Sequence, residues 1–224
     1  MAPPERRDED EPPAPERRFA AALAGHRGDE TVARAGLIDR DPSVRAAAFG
    51  ALVRMHRVTA PDLASAVADP HPTVRRTVCE LAAHIPGLDV TPLLTDPEPS
   101  VVEAAAFACG ETTAEHGVPT LVTIATTHED PLCRESAVAA LGAIGAEAGR
   151  AAVLQALGDI PQIRRRAVIA LAAFSGNDVD DALRERLQDR DWQVRQAAED
   201  VLGADDSTAP KPDVDETDVD ETDA

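Results

Sequence analysis

The side chains that could do chemistry in this sequence are few and scattered. His128-Glu129 and Glu115-His116 are the two places where an imidazole and a carboxylate adjoin, and both groups can bind iron or zinc. The other four histidines lie far apart along the chain and complete no spacing typical of a metal site. We therefore predict no metal site and no cofactor.

The candidate nucleophiles are equally isolated. No Ser stands in a Gly-x-Ser-x-Gly turn, and the single Lys, Lys211, forms no Gly-x-x-x-x-Gly-Lys phosphate loop. Cys79, Cys109 and Cys133 lack Cys-x-x-Cys spacing, and three cysteines cannot all pair in disulfides. The sequence thus predicts no catalytic residue, and we expect the protein not to be an enzyme.

The charge is strongly negative and almost free of Lys. There are 41 Asp and Glu residues against 22 bases, of which 21 are Arg, and the formal net charge is −19. This composition is typical of cytoplasmic proteins of extreme halophiles, in which carboxylates hold water and cations at molar salt. It also argues against nucleic-acid binding, because Lys and Arg drive contact with the phosphate backbone.

The absence of long apolar runs argues against a membrane-spanning protein and against a secreted one. No stretch approaches the roughly 20 apolar residues needed to cross a bilayer, so we predict no membrane insertion. No apolar segment follows the Met1 region, so we expect no signal peptide and a cytoplasmic location.

The charge leads to a prediction about salt. We expect helicity measured by circular dichroism to fall as KCl is lowered from molar concentration to about 0.1 M, because the Debye length grows from about 3 Å to about 10 Å and the carboxylates then repel one another. Thermal stability that does not change across this range would contradict the halophilic interpretation.

The two ends of the chain differ from the middle. Residues 1–18 contain five Pro, six acids and four Arg, and residues 205–224 contain nine acids, one Lys and two copies of Asp-Val-Asp-Glu-Thr. Neither segment can bury an apolar core, so both are predicted to be disordered. The predicted folded domain is 19–204, which carries a net charge of −9.

The middle of the chain repeats itself every 27–32 residues. Six ten-residue segments align without gaps and begin at Val44, Val74, Val101, Cys133, Ile163 and Val194. Position one is apolar, position two is Arg in five of six segments, and positions five, eight and nine are small or apolar. This spacing predicts one buried helix face, and the small residue at position five allows a neighbouring helix to approach closely.

Each segment follows a turn that contains Asp or Pro, such as Asp41-Pro42-Ser43 and Asp130-Pro131. Asp accepts hydrogen bonds from free amides at a helix start, and Pro fits the first helical position. A second helical pattern precedes each turn, over about 31–38, 60–68, 88–95, 114–127, 147–157 and 177–188, and a further helix is predicted near 17–25. The expected fold is all-α, a solenoid of about six helical hairpins.

The repeated string Asp-Pro-x-x-x-Val-Arg-x-x-Ala-x-x-x-Leu-Gly resembles short HEAT-like repeats of the phycobilisome-lyase type. Residues 130–145 are the copy that matches it best, and the resemblance covers about 31–203. The third repeat departs from it, because Val102 replaces Arg and the helix before it is short. The resemblance implies an α-solenoid that acts as a non-enzymatic scaffold for protein partners.

The resemblance also suggests particular functions. Haloarchaeal HEAT-repeat taxis proteins are similar in composition and repeat type, which implies an adaptor between chemotaxis proteins and the archaellum motor. The alternative is a tetrapyrrole (phycobilin) lyase-like protein or chaperone, although few aromatic residues are present to stack on a planar ring. A HEAT-type di-iron hydroxylase family uses several His-Glu pairs as ligands, and this sequence has one.

The repeated arginines and the exposed positions have different interpretations. Arg45, Arg75, Arg134, Arg164 and Arg195 are each adjacent to Asp-containing turns, which predicts a ladder of Arg–Asp ion pairs between repeats. Positions three, four and seven of each segment are predicted to line the inner surface of the solenoid. The proposed partner-binding residues combine basic and apolar side chains there and at the start of the last helix: Arg76, Phe107, Arg165, Arg166, Ile169 and Trp192.

Overall fold

A computed structural model describes the backbone of residues 12–208 and side chains up to residue 203. Twelve α-helices and no strand lie in this range. The helices are α1 (Ala14–Arg27), α2 (Glu30–Gly36), α3 (Pro42–Arg54), α4 (Ala60–Val67), α5 (Pro72–Glu80), α6 (Pro99–Glu111), α7 (Val118–Thr127), α8 (Pro131–Ile144), α9 (Arg150–Ala156), α10 (Pro161–Leu171), α11 (Asn177–Arg186) and α12 (Trp192–Thr208).

The helices form six hairpins behind a capping helix, which confirms the predicted α-solenoid. Helix α1 packs on α3, and the second helices of successive hairpins then pack on one another in the order α3, α5, α6, α8, α10 and α12. The first helices are α2, α4, α7, α9 and α11. In the third hairpin the first helix is a 3-10 segment, Thr91–Thr95, as its short sequence pattern indicated.

The turn residues begin the second helices as predicted. The Asp41 carboxylate accepts from the Ser43 amide at 2.8 Å, and the Asp130 carboxylate accepts from the Leu132 amide at 2.8 Å. Pro occupies the first or second position of α3, α5, α6, α8 and α10, where it removes an amide that would lack a helical partner. These turns therefore fix where each second helix starts.

The core lies between the first and second helices. The residue at position five of every segment is fully buried: Ala48, Val78, Ala105, Ala137, Ala167 and Ala198. A continuous buried cluster runs from Cys79 in α5 to Ala198 in α12. Small side chains at these positions allow the helices to pack closely, which is how a sequence poor in aromatic residues fills its interior.

Glycines permit the closest helix contacts. A Cβ built on Gly142 in α8 would lie 2.5 Å from the Cβ of Ala170 and 2.7 Å from its Cα in α10. A Cβ built on Gly110 in α6 would lie 3.0 Å from the Cα of Ala140. Both glycines occupy position ten of their segments, the Gly of the repeated Leu-Gly string. In the third and fourth segments, position ten is therefore a backbone contact between second helices.

A ladder of ion pairs joins successive hairpins, as predicted for Arg45, Arg75, Arg134 and Arg164. Arg17 adds a pair that was not predicted, whereas the pair predicted for Arg195 does not form with any described side chain. In each pair the Arg Nε and Nη2 donate to both carboxylate oxygens of one Asp at 2.6–3.0 Å. The pairs are Arg17–Asp39, Arg45–Asp69, Arg75–Asp96, Arg134–Asp159 and Arg164–Asp189. We call each such pair a rung.

Further hydrogen bonds fix the geometry of each rung. The Arg164 Nη1 donates to the Asp159 carbonyl at 2.9 Å, and the Asp189 carboxylate also accepts from the Asp191 amide at 2.9 Å. The hydrogen bonds from Arg164 hold the pKa of the Asp189 carboxyl below its usual value. The other four rungs have the same pattern of a carbonyl on Nη1 and an amide on the carboxylate. Each rung therefore ties a second helix to two turns.

The ladder is interrupted between α6 and α8, where both partners of a rung are replaced. Val102 stands where the other repeats have Arg, and it is buried. His128 stands two residues before the Asp130 cap, in the place of the Asp, and its Nδ1 accepts from the Asp130 amide at 3.1 Å. Both charged groups of a rung are thus replaced together, the Arg by an apolar side chain and the Asp by an imidazole.

The ends of the described chain differ from the predicted boundaries. Residues 14–18, placed above in the disordered N-terminal segment, form the first part of α1, because Arg17 pairs with Asp39 and holds this turn against the next hairpin. At the other end α12 continues to Thr208. Residues 1–11 and 209–224 lie outside the described residues, so their predicted disorder stays a prediction. No helix in the described range is long and apolar enough to cross a membrane.

Candidate protein-binding surface

The second helices expose a mixed surface along one side of the solenoid. Phe107 on α6 is 58% exposed, and Arg76 on α5 is exposed as well. The guanidinium of Arg76 forms an ion pair with Glu80 of the same helix at 2.7 Å, which neutralises it locally. Two of the positions predicted to face solvent, Ala46 and Ala197, are instead buried, because adjacent second helices pack over them.

Three of the proposed partner-binding residues meet in one groove between α10 and α12. Arg165 and Ile169 contribute from α10, and Trp192 contributes from the first turn of α12. The groove has a volume of about 400 Å³. Trp192 is 65% exposed and Ile169 is 40% exposed, which is unusual for side chains of this size. We call this site the α10–α12 groove.

Residues that the sequence did not single out complete this groove. Its floor is apolar and includes Ala172 and the buried Ala197, with Val201 at one side. Its polar side chains include Gln196, which donates to the Asp200 carboxylate at 2.9 Å. Val201 and Ala172 occupy positions eight and ten, which the repeat pattern assigns to helix packing. They are accessible here because no further second helix lies beyond α12 in the described range.

The α10–α12 groove has one acidic side chain, Asp200, which accepts from Gln196, and its positive charge comes from Arg165. The Arg165 side chain is exposed and has no ion-pair partner among the residues whose side chains are described. Every rung Arg, in contrast, is already bound to a carboxylate. Arg165 is therefore available to an acidic group from outside the chain.

Arg166 does not join this groove, although the sequence placed it in one patch with Arg165 and Ile169. Neighbouring residues on a helix point about 100° apart, and Arg166 turns toward α8 instead. There its Nη2 pairs with the Glu135 carboxylate at 3.3 Å. The Arg166 side chain also lines a second groove, of about 440 Å³, between α8 and α10. Ile169 borders both grooves. Arg166 is thus partly neutralised, and Arg165 is the stronger candidate for partner contact.

The residues considered for metal or redox chemistry have structural partners. His128 caps a turn, and His116 lies 3.0 Å from Asp89, so the two His-Glu neighbours do not converge. No group of three or more His, Cys, Asp or Glu side chains suited to a metal occurs in the described part of the chain. Burial raises the pKa of the Cys79 thiol to about 12, which makes it a weak nucleophile at neutral pH.

Comparison with known proteins agrees with this architecture. Residues 87–161 match a family model of HEAT repeats. No curated protein matches the chain significantly. The X-ray structure of YibA from Escherichia coli is similar with a TM-score of 0.59 and 18% identity, over 86% of this chain and 76% of YibA. This similarity supports the solenoid fold.

Two other solved structures show weaker similarity. Human deoxyhypusine hydroxylase in complex with glycerol has a TM-score of 0.47 and 21% identity, over 88% of this chain and 82% of that protein. A designed armadillo repeat protein in complex with the peptide (KR)4 has a TM-score of 0.48 and 15% identity, over 85% and 90% of the two chains. Repeat solenoids typically serve as scaffolds for protein interactions, because they present an extended binding surface.

Proposed function

We propose that this protein is a non-enzymatic interaction scaffold that binds a partner protein in the α10–α12 groove. The observation that carries the proposal is the meeting of Trp192, Ile169 and Arg165 in one groove of about 400 Å³, where Arg165 has no ion-pair partner among the described side chains. Trp and Arg are the residue types that most often dominate binding energy at interfaces. In this proposal the protein needs no cofactor and has no catalytic residue.

The groove also indicates what the partner presents. Apolar side chains line it beside one basic residue, Arg165, and one acidic residue, Asp200, whereas residues 19–204 carry a net charge of −9. A partner segment with a carboxylate beside an apolar side chain would pair with Arg165 and cover Trp192. Such a contact lets two acidic proteins meet at a point where they attract rather than repel each other.

The specific role that we propose is an adaptor in taxis signalling between chemotaxis proteins and the archaellum motor, within the cytoplasm. Support comes from the sequence resemblance to haloarchaeal HEAT-repeat taxis proteins and from the acidic, Lys-poor composition. A scaffold with one strong groove and a long second-helix surface suits this role, since an adaptor needs room for two partners.

The test is direct binding of purified chemotaxis and archaellum motor proteins in molar KCl, measured by isothermal titration calorimetry. We expect Trp192→Ala to weaken binding by roughly 30-fold, which corresponds to about 2 kcal/mol for a central aromatic residue. Arg165→Glu is expected to weaken it at least as much, because the reversed charge repels the partner carboxylate. Circular dichroism is expected to stay unchanged, since both side chains are exposed.

The control is Arg184→Glu, which makes the same charge change on the exposed face of α11. Arg184 pairs with Asp181 at 3.1 Å and lies outside the α10–α12 groove. If Arg184→Glu weakens binding as much as Arg165→Glu, net charge rather than the groove determines binding. If none of the purified taxis proteins binds the wild type, the taxis role is wrong. If the wild type and Arg165→Glu then capture the same proteins from a high-salt lysate, the proposal that the partner binds in the α10–α12 groove is wrong as well.

A further inference from the structure

Arg195, at position two of α12, repeats one half of a rung. Its Nη1 donates to the Asp189 carbonyl at 2.8 Å and to the Arg190 carbonyl at 3.4 Å. The same two carbonyl contacts fix Arg45 and Arg134 in complete rungs. Arg195 is half-buried, so its guanidinium is held in place rather than free in solvent.

The other half of this rung is missing from the residues whose side chains are described. In the five complete rungs the Arg Nε and Nη2 hold an Asp from the turn before the next second helix. No further hairpin follows α12 up to residue 208, and no described carboxylate forms an ion pair with Arg195. The Nε and Nη2 of Arg195 are therefore positioned to donate to a carboxylate, and no described carboxylate accepts from them.

We infer that Arg195 is a carboxylate-binding site that takes an acidic side chain from residues 215–220 of the same chain. The complete rungs join residues 21 to 25 apart in sequence. Residues 216–220 lie 21 to 25 positions after Arg195, and they include Glu216, Asp218 and Asp220. The acidic C-terminal segment thus closes the last rung of the ladder.

The length of the chain beyond α12 permits this contact. Thirteen residues of helix separate Arg195 from Thr208, a distance of about 20 Å at 1.5 Å per residue. An extended chain covers at most about 3.6 Å per residue, so about six residues beyond Thr208 are needed to return. Asp215 and the acids after it meet this requirement. Asp213, five residues beyond Thr208, is too close to the helix end.

The chemistry of the segment favours it over a separate partner. Residues 213–224 contain seven acids and no base, and the two Asp-Val-Asp-Glu-Thr copies offer several alternative carboxylates. A segment attached to α12 has an effective concentration near the millimolar range, which a separate protein would have to exceed. Arg binds a carboxylate through two parallel hydrogen bonds, so one Asp or Glu is enough to complete the rung.

The experiment is a thermal-melting comparison of four proteins: the full chain and the chain without 209–224, each with and without Arg195→Ala. It uses the lowest KCl concentration that keeps the full chain helical. We expect Arg195→Ala to lower the melting temperature of the full chain by about 2–4 °C more than that of the shortened chain, in which the variant removes only the two carbonyl contacts. A synthetic peptide of residues 213–224 should raise the melting temperature of the shortened chain and have no effect once Arg195 is Ala.

The control is Arg190→Ala, which removes a neighbouring exposed guanidinium at the same end of the molecule. Arg190→Ala should lower the melting temperature only slightly, and by the same amount in the full chain and in the chain without 209–224. The inference is wrong if Arg195→Ala has the same effect with and without the C-terminal segment. It is also wrong if light scattering shows a dimer that disappears when 209–224 is removed, because the segment then binds a second copy.

Discussion

Replacing Arg164 with Ala is expected to lower the free energy of unfolding by about 3–5 kcal/mol, measured by urea denaturation in molar KCl. The side chains of Arg164 and Asp189 are each only 5% exposed. Removal of the guanidinium leaves the buried Asp189 carboxylate with the Asp191 amide at 2.9 Å and the more distant Arg186 guanidinium at 3.7 Å. A buried carboxylate that loses its two shortest charged hydrogen bonds costs more than the ion pair itself contributes, and the Arg186 guanidinium at 3.7 Å offsets only part of that cost.

Two further variants make this prediction specific. Arg134→Ala breaks a rung whose side chains are 18% and 20% exposed, so water replaces part of the lost contact and a smaller loss is expected. Arg164→Lys keeps the charge but cannot donate two parallel hydrogen bonds, so it should recover only part of the stability. Equal losses for Arg164→Ala and Arg134→Ala would show that burial of the rung does not determine its contribution.

A single methyl group at Gly142 is expected to destabilise the protein by about 1–3 kcal/mol. The added Cβ would lie 2.5 Å from the Ala170 Cβ and 2.7 Å from the Ala170 Cα. Backbone atoms cannot move aside as a flexible side chain can, so α8 and α10 must separate. Chemical denaturation of Gly142→Ala measures the loss, and circular dichroism should still show a helical protein.

Gly50→Ala makes the same chemical change where there is room for it. Gly50 lies inside α3, and the nearest atom to a Cβ built there is the Leu81 Cδ1 at 3.8 Å. Ala is favoured over Gly inside a helix by about 0.5–1 kcal/mol, so this variant should be more stable than the wild type. If both variants shift stability in the same direction, helix propensity rather than the contact with Ala170 is the dominant effect.

The sequence was sufficient to predict the solenoid because its repeat is regular. The recurring Arg and the Asp-containing turns predicted the ladder, and the apolar positions predicted the buried face. Arg17 was missed because Glu16 precedes it, so α1 lacks the apolar first position by which the repeats were aligned. A helix at the end of the solenoid packs against only one hairpin. It therefore keeps only the repeat positions that face that hairpin, such as the Arg of the rung.

The groove could be predicted only in part. Exposure of Trp192 and Ile169 follows from their positions in the repeat, but their meeting with Arg165 depends on how α10 and α12 are juxtaposed. A sequence pattern describes one helix at a time. For the same reason the separation of Arg165 from Arg166 was not foreseen, since Glu135, which attracts Arg166, belongs to the preceding hairpin.

The close contact at position ten was not predicted from the sequence. Small side chains at position five were expected to bring neighbouring helices together, and they do so for Ala48, which meets Gly36 of α2. The tighter contacts between second helices are made by Gly110 and Gly142. A Leu-Gly pair near a helix end is equally typical of a helix terminus, so sequence alone does not distinguish the two roles.

The replacement of a rung by Val102 and His128 restricts how the repeats can be rearranged. Hairpins joined by complete rungs are compatible with one another at the rung, since each presents an Arg on one side and accepts one with an Asp on the other. Across the α6–α8 junction this compatibility is lost. A shuffled chain that placed α8 and its preceding turn after α3 would set Arg45 against His128, and one that placed α10 after α6 would set Val102 against Asp159. Each rearrangement leaves a charge without its counterpart, so this junction fixes the order of the modules on either side of it.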